Sequence, residues 1–336
     1  MEGNKNMGIS RFGPLGLIVT NSHPVLGHEV AKKLGVVPLE IESTFFPNGE
    51  LDVRRLSDVS GCDICIFGSL HAGYDTVKEL RLICGSIRGS ASRIFGVFPF
   101  VRDGKSDHVK RFGETVAYKD TAMEISSSGL DVVAIFDQHS SQHPYFYDTS
   151  HYRLRTVHHV YLMRILIEYA KANDDSFDSV LALDDGGFKR NKVIAEMLHK
   201  GVSFIVKERD AGTREIIIEK SKIVGNVEGQ RVIAFDDMLQ GGGTLETGAK
   251  IAKHNGAEEV HFFVVHNDFT PKTFDRINPL LEDGTIDKIF TLETIPLQDR
   301  ERWHKNLVVL SPASLIADVV DRIHTEGHMR ELFIGL

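Results

Sequence analysis

The feature that most constrains this chain is an alternation of short apolar runs of strand length with segments of helical period, repeated almost from end to end. LGLIVT (15–20) precedes a helix-period segment over 25–34. CDICIFGSL (62–70) precedes one over 75–85, and SRIFGVFPFV (92–101) and VVAIFDQH (132–139) follow. The pattern restarts with SVLALDD (179–185), a helix over 188–200, SFIVK (203–207), RVIAFDDM (231–238), a helix over 244–254 and EEVHFFVVH (258–266). Apolar runs with no in–out alternation suit strands buried on both faces, so the pattern predicts α/β architecture: mostly parallel sheets flanked by helices. With 336 residues and about 150 per domain, two such domains fit. A polar and aromatic stretch at 145–155 and a long helical segment expected over 157–172 place the division between 1–155 and 156–336.

Composition narrows the function. Lys and Arg number 39 against 47 Asp and Glu, a formal charge of −8, and no long basic run interrupts it, so a broad nucleic-acid-binding face is not expected. No apolar stretch approaches about 18 residues, and the polar start MEGNKNMGIS lacks the order of a secretory signal, so a cytoplasmic protein with no membrane partner is expected. The three cysteines imply no disulfide framework. Cys62 and Cys65 fall in a strand pattern whose odd spacing sends the thiols to opposite faces, which argues against a zinc site.

In parallel α/β sheets, ligands bind beyond the carboxyl ends of the strands, so polar residues there carry the functional signal. The richest place is VIAFDDMLQGGGTLETGAK (232–250), where an apolar strand ends in paired carboxylates and a glycine-rich turn enters a helix. Backbone N–H groups of Gln240, Gly241, Gly242, Gly243 and Thr244 can surround an anion at the positive helix end, while Asp236 and Asp237 accept hydrogen bonds from sugar hydroxyls. The competing reading is a tight turn with Asp237 or Thr244 capping the helix. It is not a Walker A loop, because GAK (248–250) lacks the Gly-Lys-Ser/Thr order. Asp137 and His139 follow another strand with one residue between them. On extended backbone both side chains would share one side, as a metal or phosphate site needs, though a lone histidine there is also a common structural donor. Asp184 ends a third strand.

These segments resemble the ribose-phosphate pyrophosphokinase family. The glycine-rich loop is similar to a phosphoribosyl-pyrophosphate-binding loop, FFPNGELDVR (45–54) to the family's adenine-binding segment, and PFVRDGK (99–105) to its nucleotide arginine loop. FDQH (136–139), ALDDGGFKR (182–190), KER (207–209) and ETIPL (293–297) match further family motifs in order. Asp103 stands where the family usually has Gln and Gly104 where it has Asp. Gln240 and Gly241 replace an Asp and a Thr.

The resemblance implies two tandem phosphoribosyltransferase-like domains and transfer of diphosphate from Mg-ATP to the anomeric hydroxyl of ribose 5-phosphate, with AMP released. It implies Lys207, Arg209 and His139 as catalytic residues and Phe46, Asn48, Glu50, Arg102, Asp103 and Lys105 at the nucleotide. Asp236, Asp237 and 240–244 would hold the sugar phosphate, and Asp137, His139 and Asp184 would bind Mg²⁺. Lys207 and Arg209 would sit on a mobile flap. A homo-oligomer is expected. Two other readings accompany it: a larger acceptor such as ADP-ribose, admitted because Gly241 lacks the family's Thr hydroxyl and its absence beside Gly242 and Gly243 opens space at the sugar's 5-position, and a non-catalytic regulatory subunit. A phosphoribosyltransferase is disfavoured by the ATP-type motifs.

Overall fold

The computed structural model describes residues 10–72, 75–173, 176–210, 212–213 and 215–332; the side chain of Asp185 also lies outside the described part. The chain divides into two compact units. One holds residues up to 161 with 294–296 and 311–332, and the other holds 162–293 with 297–310.

In the first unit β1 (Leu15–Val19), β4 (Asp63–Phe67), β5 (Arg93–Phe98), β6 (Val132–Phe136) and β7 (Thr156–Val160) form a five-stranded parallel sheet in the order β1-β4-β5-β6-β7. β4 and β5 are buried along their whole length, as parallel strands covered on both faces must be. α1 (Pro24–Leu34) starts on a proline and stops at Gly35, whose φ of 72° ends the helix in the left-handed region. α2 (Thr76–Ile87) is capped by Asp75 and α3 (Ala117–Ser126) follows β5. β2 (Ile41–Phe45) and β3 (Leu51–Arg55) pair antiparallel as a separate two-stranded hairpin.

The helical segment expected over 157–172 is corrected. Its first part is strand β7, paired with β6, and the helix is α4 (Met163–Ala172). Thr156, Val157 and Val160 are β-branched and lose little by lying extended. His158 and His159 therefore sit on an edge strand, where His159 Nε2 accepts from the amide of Gln138 (3.0 Å).

Residues 311–332, on the far side of the 155/156 division in the chain, belong to the first unit. α8 (Ala313–His324) packs on α1. Its end is held by buried charges: Arg93 donates twice to Asp63 (2.8 and 2.6 Å) and to the carbonyl of Ile323 (2.8 Å), and His324 Nδ1 lies 2.8 Å from Asp63. Paired in this way, the charges avoid the cost of lone burial.

The second unit is a seven-stranded sheet, β10-β9-β8-β11-β12-β13-β14. It comprises β8 (Ser179–Ala182), β9 (Gly201–Val206), β10 (Lys222–Val224), β11 (Arg231–Met238), β12 (Glu259–His266), β13 (Lys288–Leu292) and β14 (Leu307–Leu310). All pairs are parallel except β10 with β9. The crossovers include α5 (Asp185–Leu198), α6 (Gly243–His254) and α7 (Pro271–Glu282). Val232, Ala234, Phe262 and Val264 of the central strands fill its core with Leu245, Ile251 and Ile277 from the helices. The ends of β8, β9 and β11 thus become the platform on which the expected sugar-phosphate residues stand.

Candidate active site

In the second unit the expected loop stands on a braced strand. Buried Asn191 of α5 donates to the carbonyl of Phe235 (3.0 Å) and accepts from its amide (3.1 Å), so the helix grips β11 one residue before the carboxylates. Arg190, the next residue on α5, lies 3.4 Å from Asp237 and 3.9 Å from Asp236. Asp237 is buried, and its amide donates to Asp236 Oδ1 (2.9 Å). Burial and the neighbouring Asp237 push the Asp236 carboxyl up from 3.8 to about 7, against the opposing pull of Arg190. Two carboxylates sharing one arginine retain capacity for a cationic or hydroxyl-bearing ligand.

After β11 the chain turns through Gly242, whose φ of 75° is left-handed, into α6. Elements that sequence reading did not anticipate hold this turn. Gln240 Nε2 donates to Asp268 (2.8 Å), the Thr273 hydroxyl donates to the carbonyl of Gln240, and Arg276 of α7 donates to the carbonyl of Gly241 (2.7 Å). Arg276 Nε also faces Glu246 of α6 at 3.0 Å. A Cβ at Gly243 would stand 3.2 Å from Arg276 Nη1, and one at Gly242 would stand 3.4 Å from Arg276 Cδ. Arg276 thus lies on the Cβ side of Gly242 and Gly243, while a Cβ at Gly241 would come no nearer than 3.9 Å to its Nη1.

Asp184 precedes α5 and caps it, Oδ1 accepting from the amide of Gly187 (2.9 Å), while Oδ2 lies 3.8 Å from Lys207 Nζ. β9 ends at Val206, and beyond it Arg209 bridges antiparallel to Ile216. Ala211 and Arg214 of the expected flap lie outside the described residues. The lysine side chain is mostly buried at 16% exposure, so it meets Asp184 in a partly dry setting where a cation acts strongly.

In the first unit, Asp137 and His139 do not lie on extended backbone. β6 ends at Phe136, and Asp137 has φ 38°, a left-handed conformation that a non-glycine residue adopts at a cost. Asp137 is buried and His139 exposed, so the shared-side geometry expected from strand alternation does not apply. A Cβ on Gly104 would lie 3.7 Å from His139 and 3.6 Å from His143, which places the nucleotide loop against this turn. His143, absent from the sequence-derived set, is fully buried, stacks on Tyr118 at 3.8 Å and meets Asp107 at 3.3 Å. Burial tends to raise the Asp107 carboxyl, but the bond from His108 and the charge and bond of His143 outweigh it and hold it below the usual carboxylate range.

Asp103, also left-handed at φ 69°, accepts from Thr121 (2.6 Å) and lies 3.4 Å from Arg102. Arg102 lines a groove of about 750 Å³ together with Lys78, Arg81 and Glu124. Lys105 is exposed. Phe46, Asn48 and Glu50 form the tip of the β2–β3 hairpin. The Phe46 amide donates to the Glu50 carbonyl (2.8 Å), the Glu50 amide donates to Asn48 Oδ1 (3.1 Å), and Phe46 is 51% exposed. That exposure removes the alternative of a core phenylalanine beside a turn and leaves an aromatic face to stack.

Among the described residues, no group of three His, Cys, Asp or Glu side chains is arranged to hold a metal. Mg²⁺ commonly takes only one or two protein carboxylates and completes its octahedron with phosphates and water, so a single hard carboxylate, Asp137 in the first unit or Asp184 in the second, suits it without such a cage. No helix among the described residues is long and apolar enough to cross a membrane.

Comparison with known proteins gives a consistent picture. The profile for the N-terminal domain of ribose phosphate pyrophosphokinase matches residues 15–129, and the phosphoribosyl transferase domain profile matches 161–293. The chain is 30% identical over 328 residues to a ribose-phosphate pyrophosphokinase of Mycobacterium leprae, covering 96% of each. It is 29% identical over 321 residues to one of Gloeobacter violaceus, covering 95% of this chain and 93% of that protein. The crystal structure of phosphoribosylpyrophosphate synthetase from Mycobacterium smegmatis superposes with a TM-score of 0.82 at 27% identity, over 94% of this chain and all of that one.

Proposed function

The chain belongs to the ribose-phosphate pyrophosphokinase family, and from that membership we propose that it moves the β,γ-diphosphate of Mg-ATP onto the anomeric hydroxyl of ribose 5-phosphate. The hydroxyl oxygen bonds to the β-phosphorus, the bond from that phosphorus to the oxygen bridging to the α-phosphate breaks, and AMP leaves. The hydroxyl proton passes to solvent. The supporting observation is the braced unit of Asp236, Asp237 and the glycine turn at the start of α6, a cradle with carboxylates for sugar hydroxyls and N–H groups for a terminal phosphate.

Lys207 and Arg209 offset charge on the transferred diphosphate, the dominant need in phosphoryl transfer. Phe46 stacks on adenine, with Asn48, Glu50, Arg102, Asp103 and Lys105 as the polar contacts and His139 beside the phosphates. Mg²⁺ bound with the substrate's own phosphates would supply further charge neutralisation, with Asp137 and His139 in the first unit and Asp184 in the second as separate candidates to hold it. The likeness to ribose-phosphate pyrophosphokinases favours ribose 5-phosphate over ADP-ribose as the acceptor. Homo-oligomeric assembly is part of the proposal, with sedimentation as its check.

The test is incubation with Mg-ATP and either ribose 5-phosphate or ADP-ribose, following AMP and identifying the product by mass. Equimolar AMP and phosphoribosyl pyrophosphate are expected from ribose 5-phosphate alone. Tight binding of both substrates without turnover would support a regulatory subunit instead.

A further inference from the structure

An anion cradle made from backbone has a weakness: each peptide that offers an N–H also carries a carbonyl, and a carbonyl swung toward the ligand repels it. In glycine-rich turns this matters most, because glycine has few steric barriers to peptide rotation. The turn after β11 answers the problem from one side. The Thr273 hydroxyl takes the carbonyl of Gln240, and Arg276 takes that of Gly241 at 2.7 Å. Thr273 is itself fixed in the capping box at the start of α7. Arg276 is fixed by its ion pair with Glu246, which Lys250 also contacts at 2.7 Å.

The glycines complete the fit. Side chains at 242 and 243 would meet Arg276 Cδ and Nη1 at 3.4 and 3.2 Å, and one at 242 would also meet Ile277 at 3.1 Å. These distances are tighter than ordinary van der Waals contact at 243 and, toward Ile277, at 242, so glycine at both positions lets the arginine lie close along the turn. Its guanidinium also brings a positive charge beside the turn.

We propose that Arg276 is a positioning residue for the acceptor: it holds the Gly241 carbonyl away from the terminal phosphate of the sugar and keeps the donors of the turn aimed at that phosphate. This rests on the reading of the turn as the sugar-phosphate site. Arg276 acts on acceptor recognition and leaves the transferred diphosphate to other groups, so its loss belongs in the KM for ribose 5-phosphate and not in turnover.

The experiment compares wild type, Arg276→Ala, Arg276→Lys and Asp237→Asn in steady-state assays that vary ribose 5-phosphate and Mg-ATP separately, with melting curves for each protein. Arg276→Ala is expected to raise the KM for ribose 5-phosphate about tenfold, the size of one charge-assisted hydrogen bond, with kcat and the KM for ATP within about twofold. Arg276→Lys should recover part of the loss, since an ammonium still donates to the carbonyl. A general structural defect would move both KM values or kcat together and would overturn the proposal. So would an unchanged sugar KM in Arg276→Ala while Asp237→Asn raises it. If Asp237→Asn also leaves sugar binding intact, the turn is not the sugar site and the proposal falls with that reading.

Discussion

The two regions that carry the expected ligand groups are built in opposite ways. Around β11 and α6, each carboxylate or loop carbonyl examined has a partner from another element: Arg190 and Asn191 of α5, Thr273 and Arg276 of α7, and Lys207 beside Asp184. The β2–β3 hairpin, by contrast, holds Phe46, Asn48 and Glu50 through bonds within its own turn and leaves the aromatic ring half exposed. Chemistry demands fixed charges, and bonds from neighbouring elements fix them. Recognition of a flat base needs chiefly a ring, and a hairpin tip supplies one without further bracing.

The sharpest way to break this contrast is at Lys207. Lys207→Ala should lower kcat by roughly 100-fold or more while the melting temperature stays close to wild type, since its ion pair with half-exposed Asp184 is long at 3.8 Å. Single-turnover AMP release gives the rate, and turnover near wild type would place the diphosphate elsewhere.

Next comes pH. The Asp236 carboxyl titrates near 7 in the folded protein against an ordinary 3.8. Between those values the native state keeps a proton that the unfolded chain releases, so this group makes the free protein less stable as pH rises across the window. Acceptance of sugar hydroxyls requires the ionised form. Affinity for ribose 5-phosphate should therefore fall by up to about tenfold per unit below pH 7 and level off above it. Calorimetry on wild type and Asp236→Asn, compared from pH 5.5 to 8 (assay values on the order of the titration range), cancels the sugar's own titration. Parallel curves for the two proteins would remove Asp236 from the acceptor site.

The smallest effect belongs to the hairpin. Phe46→Ala should raise the KM for ATP about 3- to 10-fold, in line with one stacking contact, and leave stability and the sugar KM unchanged because the ring is exposed. A drop in melting temperature would show that the ring packs against protein and would make the two regions more alike than the structure suggests.

Much of this was legible in the residues. RVIAFDDM coincides with β11 and the following glycines with the turn into α6, because strand period, glycine conformation and helix entry are local properties. Asp184 is expected to end a strand, but β8 stops at Ala182 and Asp184 caps α5 instead. Arg190 stood inside a quoted motif, but nothing in its spacing announced the bond to Asp237.

What the sequence by itself determined was the alternating α/β plan, the positions of the polar strand ends and the family. Tertiary structure decided the rest. TVHHV at 156–160 became a strand because β6 offered an edge to pair with, and Asp137 left extended backbone because the sheet ended one residue earlier. His143 met Asp107 across 36 residues and Arg276 met Gly241 across 35. Contacts at such separations leave no periodic mark on the chain: each depends on where two distant elements come to rest, which only the closed packing of helices on the sheet establishes.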